Sequence, residues 1–137
     1  MHPGARRVAD TCLLLRSRRL ARVLTRTYLD HMAHHGLSVA QFTLLAAVGS
    51  APGARAADLA PALDLEKSTL SRELAALVTE GLVEVRALDG RSQGLFLTDV
   101  GTARLDAALP SWEAAQDAVE HALGGLAVAL RERFPAP

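Results

Sequence analysis

The stretch AADLAPALDLEKSTLSRELAALVTEG, residues 56–81, constrains the fold of this chain more than any other. Its apolar spacing predicts two helices joined by a tight turn. The first, about residues 56–63, is short and turns Leu59 and Leu63 inward. Asp64-Leu65-Glu66 makes the turn, and the second helix runs from near Lys67 to about Glu80 with Leu70, Leu74, Leu77 and Val78 on one face. Its other face carries Lys67, Ser68, Thr69, Ser71 and Arg72 at the front end. Short hydrogen-bonding side chains and cations in that place suit a helix that enters a DNA major groove and reads base edges. They also suit an ordinary solvated face. Glu73, beside them, has three readings: accepting from a cytosine amino group, orienting Arg72, or pointing away. Gly81 is a C-terminal stop, because glycine takes the left-handed conformation cheaply. Pro61 is the awkward residue, since a proline inside a helix removes a hydrogen bond and crowds the preceding turn.

A hairpin follows. Residues 83–86 alternate apolar and polar, residues 94–97 form a second short apolar run, and the turn dipeptide Asp89-Gly90 lies between them. A hairpin directly behind a helix-turn-helix is a wing. The segment DGRSQGLFLTDVG, residues 89–101, resembles the wing-and-exit motif of MarR-type transcriptional regulators: an aspartate, an arginine two later, then leucine-x-leucine-threonine-x-x-glycine. With KSTLSRELAALVTEGLV before it, the resemblance covers about residues 10–134. Asp64 departs softly from it, standing where the family commonly has glycine, and aspartate tolerates left-handed geometry better than most residues.

The resemblance implies a mainly α fold with a small β wing, in a single domain over residues 1–137. A winged helix-turn-helix lobe at about residues 38–98 would sit between dimerisation helices at about 10–36 and 99–134. It implies a homodimer, whose two-fold axis would set two recognition helices about one DNA turn (~34 Å) apart on a near-palindrome. It makes Arg91 a wing-tip cation for the minor groove, where a narrow groove concentrates negative potential. Asp89 would stabilise the wing by holding the hairpin or the arginine. The plain alternative is a surface ion pair, which is worth very little.

With 137 residues, 50% of them apolar and only 4% aromatic, the core must be built mainly from Leu, Val and Ala, a composition that favours helices. The formal net charge is zero, which counts against a lone DNA-binding module. Distribution matters more than the total. Seven arginines and one aspartate precede residue 27, whereas residues 64–98 hold four cations and six carboxylates. Non-specific DNA affinity should therefore be modest and salt-sensitive. With one cysteine there is no intrachain disulfide, and a reducing compartment follows. No apolar run reaches the ~20 residues of a membrane span, so the expectation is a soluble, cytoplasmic protein.

The remaining helices flank the lobe. Residues 1–8 read as frayed, and Asp10 or Thr11 as the cap of a first helix to about His35. Its inner side would carry Leu13, Leu20, Leu24 and Tyr28, and its solvated ridge Arg19, Arg22 and Arg26. Ser38 to Gln41 reads as a capping box for a buried helix to about Ser50, carrying Phe42, Leu44, Leu45 and Val48. Residues around Arg55 read as a short strand joining the wing sheet. Thr98 caps a long helix in which Leu105, Leu109, Trp112, Gln116, Val119 and Leu123 recur every seven residues. Pro110 should kink or split it, with Ser111 recapping the second half. Gly124-Gly125 ends it, and Leu126, Leu130 and Phe134 mark a final short helix before a loose Pro-Ala-Pro end.

One branch of the family senses peroxide through a first-helix cysteine and two tyrosines. Cys12 lies two residues upstream of that position, which Leu14 fills; Tyr28 matches one helper, and Val39 stands in place of the other. An idle thiol is the better reading. His31 and His35 are one turn apart but lack further ligands, so no metal or other cofactor is expected. No phosphate loop, nucleophile elbow or paired-carboxylate pattern supports an enzyme.

The resemblance thus implies a DNA-binding transcriptional regulator, more a repressor than an activator, released by a small phenolic or aromatic effector. Tyr28, His31, Phe42 and Trp112 are the candidates to line the effector crevice, and the same four suit a plain core. A winged helix used for protein contact, with weak or no DNA binding, is the alternative. An architectural DNA binder without effector is the third reading.

Overall fold

The computed structural model describes residues 2–135. Its order is α1 (Pro3–Thr11), α2 (Leu13–Met32), a 3₁₀ turn (Ala33–His35), α3 (Val39–Ser50), α4 (Ala56–Ala62), α5 (Lys67–Thr79), β1 (Val83–Ala87), β2 (Gln93–Leu97), α6 (Asp99–Leu123) and α7 (Gly125–Arg133). The fold is mainly α with a two-stranded antiparallel wing. Ala136 and Pro137 of the expected loose end lie outside the described residues.

The core forms where α3 meets the other elements. Leu44, Leu45 and Val48 of α3, Leu77 of α5, Leu82, Val83 and Met32 are almost fully shielded from water. The α3 capping box forms as read: Gln41 N–H donates to Ser38 Oγ at 3.0 Å, and Ser38 N–H donates to Gln41 Oε1 at 3.1 Å. On α6 the buried positions are Gly101, Ala108, Ala115 and Val119. Of the apolar seven-residue repeat only Val119 is fully buried; the other buried positions, Gly101, Ala108 and Ala115, are small and themselves seven apart, and α2 packs against α6.

Several sequence expectations are corrected. Residues 3–8, expected to be frayed, are helical, because Pro3 pre-sets the first turn and the His2 ring caps it by accepting from Ala5 N–H at 3.3 Å; Met1 lies outside the described residues. Asp10 and Thr11 consequently lie in the last turn of α1 and cap nothing. The chain breaks at Cys12, whose ψ of 113° is extended, and α2 starts afresh at Leu13. Leu13 itself is exposed, while Leu20, Leu24 and Tyr28 are half-buried. Pro110 does not split α6: it sits on the exposed face, and buried Ala108 and Ala115 hold the helix on either side. Ser111 is thus no cap. The segment near Arg55 adds no strand, although Gly53 N–H donates to Leu95 O at 2.8 Å and Leu95 N–H to Ala54 O at 3.0 Å. Arg55 instead precedes α4 as its N-cap residue. Finally, Val78 faces solvent, 39% exposed, rather than the core.

The joint between α2 and α3 rests on α6. His35 Nε2 lies 2.8 Å from Ser111 Oγ, His34 Nε2 lies 3.4 Å from the same oxygen, and Arg104 Nη1 donates to His35 O at 3.2 Å. Loss of water, then His34, then Arg104 hold the His35 pKa below its ordinary 6.5. The folded chain therefore takes up the proton less readily than the unfolded one. Stability from His35 is complete above about pH 6.5 and is lost as pH falls from there through the folded pKa. A His35→Gln variant should lose less melting temperature than the native chain between about pH 7.5 and pH 5.5. Parallel melting curves would contradict this.

Candidate nucleic-acid interface

The turn between α4 and α5 is held by main-chain bonds. Leu65 N–H donates to Ala60 O at 3.0 Å, and Asp64 N–H to Pro61 O at 3.2 Å. Asp64 sits at φ 51°, the left-handed geometry expected of it. Pro61 is tolerated because α4 is only seven residues long and is anchored by buried Leu59 and Ala60. α5 ends at Gly81, with φ 71°, where Leu82 N–H reaches back to Leu77 O at 2.9 Å.

Buried Leu70 and Leu77 fix the roll of α5. Lys67, Ser68, Ser71 and Arg72 are consequently exposed and Thr69 half-buried, so the five predicted positions lie together at the front of the helix. Glu66, the N-cap residue, makes no side-chain bond to the first turn. Those first-turn amides are left to solvent or to an incoming anion. Arg72 Nε stands 3.8 Å from Glu73 Oε1, with the arginine side chain 73% exposed and the glutamate 20%. Of the readings open to Glu73, holding Arg72 is the one the geometry favours.

The wing tip is a tight loop in which Leu88 N–H donates to Ser92 O at 2.9 Å and Ser92 Oγ donates to Asp89 O at 2.8 Å. Gly90 takes φ 64° there. Asp89 stabilises this loop through its carbonyl; its carboxylate pairs with no arginine among the described residues. Arg91 is exposed at the tip, and neither it nor Lys67 has a carboxylate within ion-pair distance among the described residues. The net neutral charge of the chain therefore does not cancel these two cations locally. Arg86 is different: it pairs with Glu84 and lies 4.6 Å over the Phe96 ring.

The end of α5 is tied to the start of the long helix through Thr98. Thr98 Oγ1 donates to Gly81 O at 2.6 Å and accepts from Gly101 N–H at 2.9 Å. Thr98 N–H donates to Leu82 O at 3.1 Å. One threonine thus caps α6 and closes the end of α5. Sequence reading found the cap but missed the second bond, which joins residues 17 apart.

Each of the four candidate effector residues packs against or bonds to neighbours within the chain. Phe42 and Trp112 stack at 6.4 Å between ring centroids. Tyr28 donates to Gln116 Oε1, and His31 Nδ1 lies 2.8 Å from Thr27 O. Burial, reinforced by Glu120 and opposed by Arg131, raises the Tyr28 pKa above its ordinary 10.0 and keeps the phenol protonated. Cys12 is a free, half-buried thiol at the break between α1 and α2. No helix among the described residues is long and apolar enough to cross a membrane.

Comparison with known proteins agrees with this architecture. Residues 35–92 match the model of the MarR family. No curated protein matches the chain. The crystal structure of the M. tuberculosis transcriptional regulator MosR is 30% identical over 90% of each chain, with a TM-score of 0.78. MosR in complex with DNA is 33% identical over 83% of this chain and 84% of that one, with a TM-score of 0.71. An M. tuberculosis MarR family protein in complex with salicylic acid is 25% identical over 91% and 94% of the two chains, with a TM-score of 0.70. Sequence, wing and helix-turn-helix lead to one conclusion: the chain belongs to the MarR family of winged helix-turn-helix transcriptional regulators.

Proposed function

We propose that this regulator binds a near-palindromic operator as a homodimer in the cytoplasm and represses transcription until a small aromatic effector releases it. The observation that carries the DNA reading is the exposed front of α5, where Lys67, Ser68, Thr69, Ser71 and Arg72 cluster at an uncapped helix start. In this reading these residues meet bases and phosphates in the major groove, and Arg91 enters the minor groove. The DNA complex of MosR supports it.

Residues 38–98 then act as the DNA-reading lobe, and residues 10–36 and 99–134 as dimerisation helices. Unpartnered apolar side chains support the pairing. Leu13 and Leu14 on α2 are 78% and 60% exposed, and Phe134 after α7 is 76% exposed. A second copy is the economical cover for so much apolar surface. Leu14→Asp combined with Phe134→Asp should shift the molar mass by light scattering from dimer to monomer. A native chain that is already monomeric would refute the pairing.

Effector release would be a population shift, the ligand binding best to a lobe spacing that misfits the operator. The salicylic acid complex of a relative supports an aromatic ligand. The test of the function is a fluorescence anisotropy titration against DNA upstream of the protein's own gene and a scrambled duplex, at two salt concentrations. Selective, salt-sensitive binding is expected. No binding even at low salt would transfer the winged helix to protein contact.

A further inference from the structure

The two longest helices carry opposite charge. α2 holds five arginines and one carboxylate, Asp30, whereas α6 holds five carboxylates and one arginine, Arg104. On α2, Leu15, Arg19, Arg22, Arg26 and Leu29 recur at 4, 3, 4 and 3, the spacing of a coiled-coil seam. All five are exposed, the two leucines by 50% and 46%. On α6, Pro110, Glu113, Asp117 and Glu120 recur at 3, 4 and 3, with Glu120 half-buried and the others exposed. At about 100° per residue, each stripe lies opposite the face that its helix turns inward. Those inner faces carry Leu20, Leu24 and His31 on α2, and Ala108, Ala115 and Val119 on α6. α2 and α6 pack on each other from their inner sides, where Tyr28 bonds to Gln116. The two stripes therefore point away from each other. Arg19, Arg22, Arg26, Glu113 and Asp117 have no ion-pair partner among the described residues, and Glu120 is held by Arg131.

We propose that these stripes are the two halves of a head-to-tail contact between copies, the arginine stripe of one lying antiparallel on the carboxylate stripe of the next. Run antiparallel, Arg19 meets Glu120, Arg22 meets Asp117 and Arg26 meets Glu113. The match follows from the spacing, since 3 and then 4 residues separate the arginines and 4 and then 3 the carboxylates. Both triplets span about 10.5 Å at 1.5 Å per residue, so one register serves all three pairs. In that register Leu29 falls on Pro110, an apolar contact at one end. In a parallel run the middle pair is out of step by one residue. Because the stripes face away from each other, a single neighbour across a two-fold axis does not reach both, and the contact is heterologous. It is therefore separate from the two-fold pairing proposed above and joins one pair to the next. Arginine suits it, because its planar fork takes a carboxylate by two parallel bonds. One surface ion pair is worth little. Three in register on rigid helices make a weak contact that counts where copies are crowded, as on adjacent DNA sites.

Sedimentation of the full chain at about 0.05 M and about 0.5 M salt tests the contact without DNA. At the lower salt the mass should grow past that of the two-fold pair as protein concentration rises. At the higher salt it should stop at the pair, because screening weakens exposed ion pairs and leaves apolar contacts in place. Failure of this contact is thus separable from failure of the pairing. Arg22→Glu with Arg26→Glu should stop at the pair at both salts, and so should Glu113→Lys with Asp117→Lys. Both variants should melt cooperatively, since all four sites are exposed. An equal mixture of the two should grow again at low salt, because each reversed stripe then finds its complement. A native chain that never passes the pair at low salt would overturn the contact. So would a variant that grows alone as the native chain does, or a mixture that does not grow. If either variant falls to a monomer, the stripes belong to the two-fold pair and the head-to-tail contact is wrong.

Discussion

Gly101→Ala is expected to destabilise the chain by about 3 kcal/mol or more. A Cβ at this position would lie 1.9 Å from Leu82 O and 2.8 Å from the Leu82 carbonyl carbon. Those are backbone atoms that no rotamer change can move aside. Leu82 is itself buried, and its carbonyl accepts from Thr98 N–H, so relief needs the start of α6 to swing off the end of α5. At the size of this chain the melting temperature should drop by roughly 10 °C. Gly125→Ala is the control, because a Cβ there meets nothing within 4 Å. It should stay within about 0.5 kcal/mol of the native chain. Equal melting of the two variants would mean that the junction is looser than its geometry.

The second large effect concerns DNA. Arg72→Ala should cost about 1–3 kcal/mol on the preferred operator, or roughly 5- to 150-fold in affinity, and should flatten discrimination at one base pair of each half-site. Arg91→Ala should weaken all duplexes by a similar factor and reduce the salt slope by about one. The two cations are distinguished by their surroundings. Arg72 stands in the middle of the exposed α5 face with Glu73 beside it, which limits its directions. Arg91 is exposed at the wing tip with no carboxylate partner among the described residues, so no ion pair orients its guanidinium for base reading. Measuring both variants on a panel of single-base operator changes checks the assignment. If Arg91→Ala leaves every affinity unchanged, the wing does not touch DNA; if Arg72→Ala keeps the full base preference, that residue reads none.

Much of this architecture was legible in the sequence because its signals are local. Helical spacing located α3 and α5, Ser38 and Gln41 announced a capping box, and Asp89-Gly90 announced the wing turn. The family motif added the hairpin context that periodicity lacked. What escaped notice depended on distant partners. Gly101 stood in the exit motif as a letter to match, and its reason, the carbonyl of Leu82, lies across a hairpin. The break at Cys12 leaves no periodic trace, because α1 buries no residue. Pro110 looked disruptive since a proline's local cost is readable, whereas the small-residue seam that holds α6 through it is a tertiary fact. The candidate effector residues show the same limit: Tyr28, His31, Phe42 and Trp112 suit a pocket or a core, and their places in the sequence do not separate the two.

The bond from Thr98 to Gly81 has a mechanical consequence. α6 contains 25 residues, a rod of about 37 Å at 1.5 Å per residue. Thr98 fastens the foot of this rod to the trailing end of α5 twice, by its hydroxyl to Gly81 O and by its N–H to Leu82 O, so a rotation of α5 should be passed on to α6. A tilt of about 5° where the rod meets its neighbours would then carry its far end through about 3 Å. That is comparable to the rise of one base pair along DNA, about 3.4 Å. A small tilt at the foot would thus become a displacement of base-pair size at the far end, with the two Thr98 bonds as the coupling.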